Sequence, residues 1–145
     1  MIGLLNISEA MSIALHTCVS LAEEPEGFHS ARQIANKLGF SAHHSAKVVQ
    51  QLVHAGILET ERGPTGGARL ARPADKLSLL QIYVAAGGTP EYTGCLLKHD
   101  ICNGKRCALG KLMAKENQKL TKRLKSLTLA SVMHSLKKTR TAKRP

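Results

Sequence analysis

Arg62-Gly-Pro-Thr-Gly-Gly-Ala-Arg-Leu-Ala-Arg-Pro73 follows directly on Ile57-Leu-Glu-Thr-Glu61. The segment Ile57–Arg62 reads as a strand, Gly63 to Gly67 as a tight loop, and Ala68–Arg72 as a returning strand that Pro73 ends. The stretch is therefore a β-hairpin, and what precedes it gives it meaning.

Upstream lies Ser30-Ala-Arg-Gln-Ile-Ala-Asn-Lys-Leu-Gly39. Ser30 with Gln33 three residues on is a capping box, and Gly39 stops a short helix carrying Ile34, Ala35 and Leu38. Phe40-Ser41 then opens a second helix through Val48, Val49, Leu52 and Val53 to Ala55-Gly56. Two short helices joined by a Gly-containing turn form the helix-turn-helix pattern, and a hairpin placed directly after it is a wing. The second helix would be the recognition helix. Ser41, His43, His44, Ser45 and Lys47 in its first turns can all reach phosphate oxygens or base edges of double-stranded DNA. Arg62, Arg69 and Arg72 bracket Gly66 and Gly67, so the hairpin tip is expected to approach a DNA backbone while cations flank it. Residues 28–76 hold seven Lys or Arg against three acids, an excess that suits phosphate contact. The paired helices alone would equally suit an ordinary helical hairpin.

Flanking this unit are further helices. Ile7, Met11, Ala14, Leu15, Cys18, Val19 and Ala22 recur at three- and four-residue steps, the stripe of an amphipathic helix. Cys18 on that stripe reads as a buried structural thiol. Asp75 to Ala86 reads as another helix, stopped by Gly87-Gly88, with Leu77, Leu80, Ile82 and Val84 closing the core. From Ala108 a helix of about twenty residues carries Leu109, Leu112, Met113, Leu120, Leu124 and Leu127 on a narrow seam, which Glu116 and Asn117 interrupt. Such a seam does not bury itself on a small domain, so pairing with its twin in a homodimer is expected. Leu129 to Leu136 adds a short helix. The expected division is 1–87 winged helix-turn-helix, 88–107 cysteine-rich loop, 108–135 dimerisation region and 136–145 basic disordered tail. The fold class is mainly α with a small β-hairpin wing.

Composition narrows the classes. Apolar residues make up 43% of the 145, enough for a core, but with no Trp, two Phe and two Tyr that core is aliphatic. No run approaches a membrane span, and the N-terminus lacks a signal-peptide profile, so a cytoplasmic protein is expected. The net charge is +11, and residues 111–145 carry eleven Lys or Arg against Glu116 alone. This block reads equally as a solvated face and tail. No Gly-rich nucleotide loop, paired carboxylates or Ser-His-Asp grouping argues for an enzyme.

Helix-turn-helix, the wing phrase 62–73, a Leu-Leu-rich helix, three clustered cysteines and a long terminal helix together resemble the Rrf-type (IscR/NsrR-like) transcriptional regulators. The resemblance spans roughly residues 6–135. It implies dimeric winged-helix subunits on a palindromic operator, commonly as a repressor. It also implies an iron–sulfur cluster (2Fe–2S or 4Fe–4S) held by three loop cysteines and one further ligand, sensing redox state, nitric oxide or iron–sulfur status. There are departures from the pattern. Thr65 and Ala68 stand where family wings usually have Gly and Tyr, a change expected to affect packing more than DNA reach. Gly110, three residues past the last cysteine, occupies the place of a histidine ligand and cannot ligate.

The cysteines are Cys95, Cys102 and Cys107, spaced C-x6-C-x4-C in a polar stretch containing Gly104. Thiolates are the usual cluster ligands, and three within thirteen residues can converge on one cluster. Candidates for the fourth ligand are His16, Ser12, Glu9 and His99. His16 would resemble family members that draw a ligand from the first helix, although a surface or interface histidine fits the same position. Three alternatives stay open. Zinc with His99 is one, against which the wide cysteine spacing counts. A thiol switch activated by Lys98, Lys105 and Arg106 is another. A loop without metal is the third.

Overall fold

The computed structural model describes residues 7–92 and 107–142, with side chains up to Lys137. The first helix, α1 (Glu9–Glu23), starts at Ser8, whose hydroxyl accepts from the Met11 N–H at 3.2 Å. Ile7 precedes the helix and is exposed, so it does not begin the buried stripe as expected. In its place Ile13, Thr17 and Leu21 are buried with Met11, Ala14 and Cys18. The buried arc is wide because α1 is the central strut of the fold. The helices α2 (Ala31–Leu38), α3 (Ala42–His54), α4 (Leu79–Ala85) and α6 (Leu129–Ala142) all pack on it, as does the wing. Burial pushes the Cys18 thiol up to about 12. Because the folded thiol holds its proton more tightly than the unfolded one, this group leaves stability unchanged below about pH 9 and erodes it as pH rises from 9 towards 12. Cys18→Ala is expected to remove part of the alkaline limb of a stability–pH curve, measured by urea unfolding.

The capping box at α2 is present: Ser30 Oγ accepts from the Gln33 N–H at 3.1 Å, and Gln33 Oε1 accepts from the Ser30 N–H at 2.8 Å. Gly39 ends the helix at φ 72°, donating its N–H to the Ala35 carbonyl. Ile34 of α2 and Val48, Val49 and Leu52 of α3 share one aliphatic core with α1. Ser30→Ala is expected to cost about 1 kcal/mol, seen as a lower urea midpoint at unchanged slope.

The hairpin pairs β1 (Leu58–Glu61) with β2 (Gly67–Leu70) in antiparallel register, Leu58 opposite Leu70 and Glu61 opposite Gly67. A second pairing, not foreseen from sequence, ties the wing to the entry of α2. His29 and Ala68 exchange both backbone hydrogen bonds, at 2.9 and 2.8 Å. Ala68 is buried in that contact, which accounts for a small residue there.

The expected helix 75–86 is broken. A 3-10 turn, Ala74–Lys76, is followed by extended Leu77, and α4 begins only after Ser78. Leu77 and Leu79 use their backbone to bond Leu129 and Leu127, at 2.8 and 2.9 Å, so this break receives the junction between α5 (Ala108–Ser126) and α6. Ser78 and Gln81 form a second capping box. Leu77 and Ile82 are fully buried as expected, but Val84 is 48% exposed and does not close the core. Over residues 136–142 the expected disordered tail is instead helical, since α6 continues through Ala142; the rest of that tail lies outside the described residues. The mainly helical fold with a two-stranded wing stands. Among the described residues no helix is long and apolar enough to cross a membrane.

Candidate functional site

Ser41 caps α3 through its hydroxyl, and Ser41, His43, His44 and Lys47 are exposed on its outer face. Ser45 is not. It is 0% exposed on the stripe that continues through Val48, Val49 and Leu52, so it cannot reach nucleic acid. A hydroxyl among outward-facing polar neighbours hid the fact that it occupies a core position. His44 leans back towards α1, its Nδ1 lying 3.3 Å from Glu9 Oε2.

The three wing arginines do not act as one group. Arg62 is exposed beside the hairpin loop. Arg69 pairs across the strands with Glu59 at 2.6 Å, and its guanidinium lies 4.5 Å from the Phe28 ring centre. Arg72 lies beyond β2, at the base of the hairpin; its Nε is buried, and the residue lines a groove between α3 and α4. Gly66 and Gly67 answer internal demands. A Cβ at Gly66 would overlap the Glu61 carbonyl, and one at Gly67, where φ is +146°, would overlap the His29 backbone.

Cys95, Cys102 and His99 lie outside the described residues. Cys107 is half-buried and forms the N-cap of α5, its Sγ accepting from the Gly110 N–H at 3.2 Å. Gly110 is itself buried. The chain before the cysteines is fastened to the same helix. Asn117 Nδ2 donates to the Pro90 carbonyl at 2.8 Å, and the Tyr83 hydroxyl donates to the Thr89 carbonyl at 3.4 Å. Asn117, read from sequence only as a break in the seam, is therefore a tether. Its polarity inside an apolar repeat was the available signal. His16 is exposed, with Nδ1 2.7 Å from the Ser12 carbonyl and its ring edge-on to Phe40. Because a carbonyl only accepts, Nδ1 is the donor in this bond, which leaves Nε2 outside it. Glu9 is engaged by His44. Among the described residues no three such side chains form a metal-holding group.

On α5, Leu109, Leu112, Met113 and Leu120 remain exposed, while Leu124 and Leu127 pack on the core. Lys111, Lys115, Lys119, Lys122 and Lys125 occupy a separate exposed face of the helix.

These elements define a winged helix-turn-helix protein with an appended helical pair. The sequence profile of Rrf2, described as an iron-dependent transcriptional regulator, matches residues 7–135. The chain belongs to the Rrf2 family. It is 36% identical over 78 residues to the HTH-type transcriptional regulator BadM of Rhodopseudomonas palustris, a match covering 54% of this chain and half the length of that relative. Among solved structures it is similar to CymR, the global cysteine regulator of B. subtilis, with a TM-score of 0.77 and 23% identity over 91% of this chain and 98% of that one. It is similar also to T. potens IscR, with a TM-score of 0.73 and 25% identity over 97% and 93% of the two chains.

Proposed function

We propose that this chain is a dimeric DNA-binding transcriptional regulator, a repressor, whose operator affinity is set by the state of the Cys95–Cys107 loop. One observation carries the reading. Cys107 is at once the last cysteine of the loop and the cap of α5, the helix whose apolar seam lies uncovered. Asn117 fastens the other end of the loop to that helix. A change in what the cysteines hold therefore acts at the root of the dimer helix, and through it on the separation of two α3 helices. Operators fix half-site spacing near one helical turn, so a small shift changes affinity.

Cys95, Cys102 and Cys107 would hold an iron–sulfur cluster, with His16 as the proposed fourth ligand. The sulfur of Cys107, at a helix N-terminus and accepting a backbone N–H, suits a thiolate ligand. When bound, the cluster would supply a group that reacts with oxidants or nitric oxide. The protein's own part is to fix Cys107 on α5 and to tether the loop's entry. Anaerobic purification should give a protein absorbing broadly between roughly 320 and 460 nm, with matching iron and sulfide, and Cys102→Ala should abolish that absorption. Colourless protein with stoichiometric zinc would replace the cluster with a structural clip. Cys107 is a free, half-buried thiol at the root of α5, which makes a metal-free thiol switch the second reading. Colourless, metal-free protein would support it.

DNA contact falls to Ser41, His43 and Lys47 of α3 and to Arg62 and Arg69 of the wing. Three cations per subunit, six per dimer, predict a slope of about −5 for log affinity against log salt, or roughly a thousandfold loss between 50 and 200 mM. Lys47→Gln should flatten that slope by about 2, measured by fluorescence anisotropy on a duplex chosen by selection.

A further inference from the structure

A groove of about 910 Å³ lies between the outer half of α3, the base of the wing and α4, on residues outside the α5 seam. Its charged lining is Lys47 and Arg72, with His54 beside them, and among the described residues no carboxylate lines it. Gln50, Gln51 and Gln81 add amide donors. Its floor is apolar, formed by Ile57, Leu80 and Val84. Two features of this groove are unexplained by folding alone. Arg72 lines the groove at the base of the wing without a carboxylate paired to it in this wall, and its buried Nε has no hydrogen-bond partner among the described residues. Val84, on α4 between buried Ile82 and Ala86, leaves nearly half its surface open into the groove.

We propose that this groove binds a small organic anion, a carboxylate or phosphate ester with an apolar body. The Arg72 guanidinium would pair with the anionic head, with Lys47 supplying further positive charge and His54 and the amide side chains completing its hydrogen bonds. The apolar body would lie on Leu80 and Val84. The volume is within the range of small-molecule sites, and the mixture of an apolar floor with a few converging polar groups is their usual composition. A DNA phosphate, the other anion near α3, needs the cations but gains nothing from an apolar floor. The site is independent of any cluster, and its walls join the recognition helix to α4, which leads into the tethered segment at Thr89 and Pro90.

The test uses full-length protein with its Val and Leu methyl groups isotopically labelled, titrated by NMR with three probes. Phenylacetate carries charge and an apolar body, phenylacetamide the body alone, and acetate the charge alone. Phenylacetate is expected to shift the Val84 and Leu80 methyls saturably, at least tenfold more tightly than either other probe. Arg72→Met should remove the preference for phenylacetate over phenylacetamide. Val84→Glu, at an exposed position that leaves the core intact, should abolish binding in a protein with an unchanged melting temperature. Equal binding of phenylacetate and phenylacetamide, no saturable shift, or full binding by Val84→Glu would overturn the proposal. So would methyl shifts on adding a short duplex that Arg72→Met removes while phenylacetate has no effect, since the groove would then be a DNA phosphate contact.

Discussion

Replacing Leu112 and Leu120 together with glutamate is expected to leave a folded monomer of about 15.6 kDa that binds its operator at least a hundredfold more weakly. Leu112 is 53% and Leu120 38% exposed in the isolated subunit, so neither change opens a cavity in the core. What they remove is the apolar strip that a second α5 would cover. Apolar burial contributes about 25 cal/mol per Å², and two like-charged glutamates on each facing helix replace that gain with repulsion. A monomer keeps one recognition helix and loses the linked second half-site, hence the large loss of affinity. Light scattering and circular dichroism on the same sample check the outcome. A dimer that persists with native affinity would place the interface elsewhere.

Gly67→Ala is expected to destabilise the subunit by about 3 kcal/mol, a size reserved for strained backbone at a site with no room to relax. Two costs combine at this position. The φ of +146° is a conformation that L side chains rarely adopt, and the added methyl would overlap the backbone of His29. The His29–Ala68 pair that fastens the wing to α2 would have to part. Gly63→Ala is the matched control. It shares a positive φ, 117°, but faces open space, so it should cost only about 1 kcal/mol. Urea unfolding of both variants separates strain from collision, and equal losses would show that the His29 contact contributes little.

How far these features can be read from sequence depends on whether a signal is local. Ser30, Gln33 and Gly39 announce α2 because capping and a left-handed turn involve neighbours in the chain, and the structure has both. The wing is legible for the same reason, its glycines and prolines marking turns. The break at Ser78 was equally local, in a Ser-Leu-Leu-Gln box, but the apolar run from Leu77 to Val84 masked it by suggesting one continuous helix. Other features are tertiary and leave no local trace. Nothing near His29 foretells its pairing with Ala68, and the polarity of Asn117 within the seam marks it as exceptional without pointing to its partner Pro90, twenty-seven residues away. Ser45 was misleading for a related reason. It has the chemistry of a DNA contact, and only the packing of α3 against α1 shows that it is interior.

On the proposed mechanism the cysteine loop governs DNA affinity through α5. The direct measurement compares operator binding by cluster-loaded and cluster-depleted protein, side by side with Cys102→Ala, at one salt concentration under anaerobic conditions. At least a tenfold difference is expected between the loaded and depleted forms, with Cys102→Ala fixed at the depleted value whichever treatment it receives. Equal affinity for all three would contradict it, leaving a DNA-binding protein whose cysteines do something else.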